Sequence, residues 1–173
     1  DWWAVFLGCR PYQDDFYNTG RDTYLLPVTW KDGWPTILES GRVVPTVNKK
    51  AGLQYEAGLC NTGNFSYVDR FDSPTLDMRW MYLRNPDLSA YNLGSNGLSI
   101  KASDANIHEV KPITAVFRRQ QHNTFTAETE VTFNPASDKE LAGFALLQNE
   151  HYNFTFGKTK IGGRTAIVLT RAE

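Results

Sequence analysis

The chain has 173 residues, 41% of them hydrophobic and 13% aromatic, enough for one all-β domain or two small ones with a real core. Its 18 basic residues against 19 acidic ones leave a net charge of -1, so no global field draws it to nucleic-acid phosphates or anionic membranes, and neither is expected as a partner. The longest uncharged apolar run, residues 2–7, is far too short to span a bilayer, and no basic-then-apolar leader opens the sequence.

The sequence starts at Asp1 directly before WWAVFL and reads as an excerpt or processed piece of a longer protein. Residues 2–7 form an apolar run of strand length closed by Gly8, predicted as a strand buried on both faces. Residues 10–19 are polar and include Pro11, a loop of the kind on which sites are built. Gly20 then allows a sharp bend before Arg21, a fixed cation at the mouth of a strand and so a candidate ligand contact. The alternative for Arg21 is an ion pair with Asp22 or Asp32. Tyr24, Leu26, Val28 and Trp30 alternate with Leu25, Pro27, Thr29 and Lys31, Asp32-Gly33 is a two-residue turn that favours positive φ, and residues 34–37 make the return strand. Three strands joined by one long and one tight connection suit a meander such as a propeller blade.

Residues 41–64 carry Gly41, Gly52, Gly58 and Gly63 without sustained alternation and read as a linker. Val43, Val44, Val47, Leu53 and Tyr55 would be costly to leave in water, so the linker is expected to lie over a surface. From Phe65 onward short apolar runs return at residues 65–68, 81–83, 98–102, 113–118, 142–148, 152–156 and 165–170, separated by Pro, Gly, Asn or Asp, with Gly162-Gly163 as the last turn. The clearest alternation is residues 125–133, with Phe125, Ala127, Thr129, Val131 and Phe133 on one face and Thr126, Glu128, Glu130 and Thr132 on the other. No stretch of helical length shows three-and-four spacing, and regular short strands with turn signals predict a sandwich.

Chemistry-bearing clusters are sparse. Asp14 with Asp15, Glu128 with Glu130, and Asp69 and Asp72 around Arg70 read as solvated faces or local ion pairs, and no Ser-His-Asp set or glycine-rich phosphate loop is present. Cys9 and Cys60 allow two reduced thiols or one disulfide and have no metal-ligand spacing. Trp3, Trp30 and Trp80 read as core, Trp34 as packing at an interface, and His108 and His151 as solvated. Asn64 and Asn153 head glycosylation sequons that matter only in a eukaryotic secretory route.

Four phrases in order, WWAVFLGCRP, GRDTYLLPVTWKDGWPTI, FDSPTLDMRWMYLRNP and FRRQQHNTFTAETEVTFNPASDKELAGFALLQNEHYNF, resemble the C-terminal portion of glycoside hydrolase family 43 enzymes of the β-xylosidase and α-L-arabinofuranosidase type. The resemblance covers nearly the whole chain. It implies the last blade of a five-bladed β-propeller at 1–40, a linker over the domain interface at 41–64, and a partial concanavalin A-like β-sandwich at 65–173. Such a sandwich commonly needs roughly two hundred residues, so more polypeptide of the same enzyme is expected to complete the fold.

The resemblance further implies an inverting exo-glycosidase that removes terminal β-xylosyl or α-L-arabinofuranosyl residues from plant cell-wall oligosaccharides; the location is left open, with periplasmic or extracellular favoured over cytoplasmic. Its acid and base must stand roughly 6.5 to 9.5 Å apart to admit the attacking water. In the family these carboxylates, and the calcium site of some members, belong to earlier blades, so no catalytic residue, metal or cofactor is assigned here. By the same resemblance Arg21 projects into the terminal-sugar pocket. In some relatives the connection holding Gln121 and His122 closes one end of that pocket, commonly with an aromatic. Here His122-Asn123-Thr124 precedes Phe125, so Gln121 or His122 is the candidate rim residue, against the alternative of an exposed polar turn. The competing readings of the sandwich are a carbohydrate-binding module and a purely structural buttress.

Overall fold

The computed structural model describes residues 1–17, 19–49 and 63–173. Apart from one 3-10 turn at Leu88–Ala90, its regular elements among the described residues are all β-strands. No described helix is long and apolar enough to cross a membrane. The chain divides into two units, Asp1–Tyr67 with Gln120–Thr124, and Val68–Arg119 with Phe125–Glu173.

In the first unit β1 (Trp2–Cys9), β2 (Arg21–Lys31) and β3 (Trp34–Thr36) form an antiparallel meander in that order. The β2–β3 turn has Asp32 at φ 50° and Gly33 at φ 81°, the two left-handed residues that match the twist of a tight hairpin. Register sets Ala4 opposite Leu26 and Phe6 opposite Tyr24, whose rings stack at 5.5 Å, and Leu26 is only 2% exposed. On the other face Val5 lies opposite Leu25 and both are exposed, as is Leu7. The expected burial of β1 on both faces is therefore not met: an apolar run states what a strand can bury, but a second layer must supply the cover. Trp30, expected in the core, is 53% exposed and meets Trp2 edge-on at 5.9 Å.

Of the segment read as a linker, residues 50–62 lie outside the described residues, Cys60 among them. Asn48 Nδ2 donates to Leu25 O at 3.1 Å, and Val44 shares a cleft with Phe6 and Pro35–Leu38.

In the second unit β4 (Tyr91–Gly94) and β5 (Gly97–Ile100) form a hairpin, while β6 (Ala142–Leu147), β7 (Asn153–Ile161) and β8 (Arg164–Ala172) form an antiparallel sheet with β7 in the middle. Gly162 and Gly163, at φ 56° and 80°, make the predicted β7–β8 turn. The faces of β7 invert the simplest expectation. Asn153, Thr155 and Thr159 are buried, whereas Phe154 and Phe156 are exposed together with their neighbours Leu146, Ile167 and Leu169. Asn153, 4% exposed, donates through Nδ2 to the carbonyls of Asn149 and Glu150 at 3.3 and 3.1 Å, so its side-chain amide is used within the fold.

Four strand expectations fail among the described residues. Residues 65–68 and 125–133 belong to no strand of the described structure, and 81–83 and 113–118 meet through an isolated bridge between Met81 and Phe117. Alternation assigns faces to a segment, but a strand exists only when a neighbouring edge accepts and donates its backbone hydrogen bonds.

Candidate functional site

The loop between β1 and β2 is shaped by its own backbone. Tyr12 N donates to Phe16 O at 2.8 Å, Gly20 N donates to Tyr17 O at 2.8 Å, and Gln13, Asp14 and Asp15 all take positive φ. Asp14 and Asp15 thus sit exposed at the tip of a tight turn, which is no enclosed acid-base pair. Gly20, at φ 78°, turns the chain into β2 and delivers Arg21 as its first residue, opposite Cys9.

Arg21 is exposed, and its side chain makes no hydrogen bond or ion pair among the described residues. The ion pair with Asp22 offered as its alternative is not formed. Asp22 instead has Arg10 Nε 3.1 Å from its Oδ2, at ion-pair distance but without hydrogen-bond alignment. Arg21 therefore keeps all five N–H donors for a partner outside these contacts, and it shares the face of the exposed Val5, Leu7 and Leu25. Cys9 is a free, exposed thiol.

The connection Gln120–Thr124 groups with the first 67 residues, not with the sequence flanking it. His122 Nε2 lies 2.8 Å from Gly63 O, and its ring meets Phe65 edge-on at 5.3 Å and 64°. A carbonyl oxygen only accepts, so Nε2 carries the proton in this contact. Gln120 Nε2 donates to His122 O at 2.8 Å, while Gln121 is exposed. No hydrogen bond or ion pair among the described residues joins Arg21 to Gln121 or His122. Sequence reasoning singled out Gln121 and His122 but missed Gln120 and the Gly63–Phe65 seat; no local pattern links positions 59 residues apart.

The remaining polar contacts of the second unit are structural. Asp69 accepts from Phe71 N and Trp80 Nε1 at 2.8 and 2.7 Å. Arg79 forks onto Asp77 through two 2.7 Å bonds, and hydrogen bonding to Arg79 holds the Asp77 carboxyl well below the ordinary carboxylate range. Tyr91 Oη accepts from Ala115 N at 3.0 Å, and burial pushes its phenol above the ordinary value. Arg84 pairs with Glu150 and donates to Lys111 O at 2.6 Å. His108, exposed as expected, places Nδ1 3.2 Å from Glu150 O. Among the described residues no group of three or more His, Cys, Asp or Glu could hold a metal ion.

Residues 68–173 match the family described as "Beta xylosidase C-terminal Concanavalin A-like domain". The non-reducing end α-L-arabinofuranosidase BoGH43B of Bacteroides ovatus is 31% identical over 176 residues, covering 98% of this chain and 32% of its own length. A GH43_12 crystal structure retrieved from capybara gut metagenome superposes with a TM-score of 0.84 at 35% identity, over 99% of this chain and 33% of that one. The Bacteroides ovatus xyloglucan-locus GH43B structure gives 0.79 at 27% identity, over 99% and 34%. The chain thus spans about a third of the length of the relatives it matches.

Proposed function

We propose that this chain, which belongs to the family of concanavalin A-like C-terminal domains of β-xylosidases, is the non-catalytic C-terminal part of an inverting exo-glycosidase. Its substrate class is oligosaccharides ending in β-xylosyl or α-L-arabinofuranosyl units. The observation that carries this reading is the collinear match to BoGH43B over 98% of the chain, which includes the β1–β3 meander ahead of the domain-family match at 68–173. Chemistry agrees: no pair of carboxylates among the described residues is enclosed in a cleft, and acid-base hydrolysis of a glycoside needs two facing each other across the bond.

In this reading residues 1–40 are the last propeller blade, and the acid, the base and the orienting carboxylate belong to polypeptide outside this chain. Arg21 supplies a planar fork of donors to adjacent sugar hydroxyls, and the connection with Gln121 and His122 borders the same pocket. The exposed face of Val5, Leu7 and Leu25 supports a neighbouring blade there, since an apolar sheet face of this kind calls for cover. The test uses the full-length protein with aryl β-xyloside and aryl α-L-arabinofuranoside. Arg21→Ala is expected to lower kcat/KM by about ten- to a hundredfold, the factor for losing charge-assisted hydrogen bonds. The thermal midpoint should barely move, because the guanidinium makes no hydrogen bond or ion pair among the described residues. An unchanged kcat/KM together with a lowered midpoint would reject the substrate role.

A further inference from the structure

We infer that His122 is a positioning residue, not a sugar contact, and that it fixes the 120–124 connection so that Gln121 is the side chain offered to the ligand. The inference rests on the reading that this connection borders the substrate pocket, and divides between two residues a role so far given to both.

Three observations carry it. The Nε2–H of His122 is committed to Gly63 O at 2.8 Å, and the ring edge is seated on Phe65 at 5.3 Å. His122 is half-buried, unlike its neighbours Gln121, Asn123 and Thr124, which are exposed. Gln120 Nε2 closes the backbone from the other side by donating to His122 O at 2.8 Å. An imidazole with its donor nitrogen held by a main-chain carbonyl has only Nδ1 left, whereas the free carboxamide of Gln121 offers two donors and an acceptor, the set that matches vicinal sugar hydroxyls. Gly63 takes φ 62°, a left-handed conformation that aims its carbonyl where a β-region residue would not.

The experiment compares His122→Ala, His122→Gln and Gln121→Ala in the full-length protein. It follows steady-state kinetics on an aryl glycoside and on a short oligosaccharide, and backbone amide exchange at residues 63–65 and 120–124. Glutamine keeps an N–H donor of similar reach. His122→Ala should raise KM about three- to tenfold, the factor of one neutral hydrogen bond, with kcat within about twofold, and speed exchange in the connection. His122→Gln should restore both, and Gln121→Ala should raise KM while leaving exchange unchanged.

If His122→Gln keeps wild-type exchange but loses as much affinity as His122→Ala, the imidazole itself touches sugar and the inference is overturned. If exchange is unmoved by His122→Ala while Gln121→Ala still raises KM, the pinning is wrong although the pocket reading stands. If exchange responds as expected but no variant alters KM, the connection does not serve the pocket, and both the inference and that part of the proposed function fall together.

Discussion

Gly143 offers the sharpest test of the sheet geometry, because surface position and internal spacing predict opposite signs for one added methyl. It lies on β6 directly opposite Gly157 of β7, and by exposure it is a surface residue. Alanine there, with φ outside the left-handed region, would ordinarily stabilise by about 0.4–1 kcal/mol through loss of unfolded-state freedom. In this sheet, however, the new Cβ would stand 2.5 Å from Gly157 Cα and closer still to the carbonyl oxygen of Phe156. To bring the closest of these contacts, the one to Phe156 O, out to an ordinary 3.4 Å the strands must part by about 1.2 Å. A ladder bond near 2.9 Å stretched by that amount is no longer a hydrogen bond. Losing the two bonds around the pair costs about 1–3 kcal/mol, so Gly143→Ala should be destabilised by a net ~1–2 kcal/mol. Urea unfolding of the full-length protein, followed through the transition of the sandwich, measures it. Gly94→Ala is the control, since nothing lies within 4 Å of the position its Cβ would take. A Gly143→Ala protein as stable as its parent, or more so, would show that the strands do not approach as described.

Two further outcomes follow from polar contacts in the second unit. Tyr91→Phe removes the acceptor of Ala115 N and should cost about 1–3 kcal/mol in the same assay, whereas an unmoved midpoint would mean that water replaces the hydroxyl. For Asp77 the ordinary pKa is 3.8 and the folded value lies well below it. The Arg79 fork therefore contributes fully above the unfolded value and is lost as pH falls from there toward the folded one. The pair is partly exposed and screened, so the effect is small. Asp77→Asn should flatten the acid side of the midpoint-versus-pH curve below about pH 4 and leave it parallel to the parent above about pH 5. Identical acid slopes in the two proteins would count against the fork.

What could be read from the sequence was local. Asp32-Gly33 and Gly162-Gly163 specify their turns because few residues accept positive φ twice in succession, and the three-strand meander and the β7–β8 hairpin follow from them. Gly20 before Arg21 marks the strand mouth for the same reason, and the four ordered phrases point to the family that the 68–173 match bears out. Tertiary structure alone decided the rest. It left residues 125–133 out of every strand of the described structure despite the best alternation in the chain, exposed Phe154 and Phe156 while burying Asn153 and Thr155, and seated His122 on Gly63 and Phe65. The physical reason is common to all three. A side-chain pattern fixes which residues share a face, but burial, pairing and the use of a polar group depend on which other segment arrives against that face, and that contact spans a sequence distance over which no local preference acts.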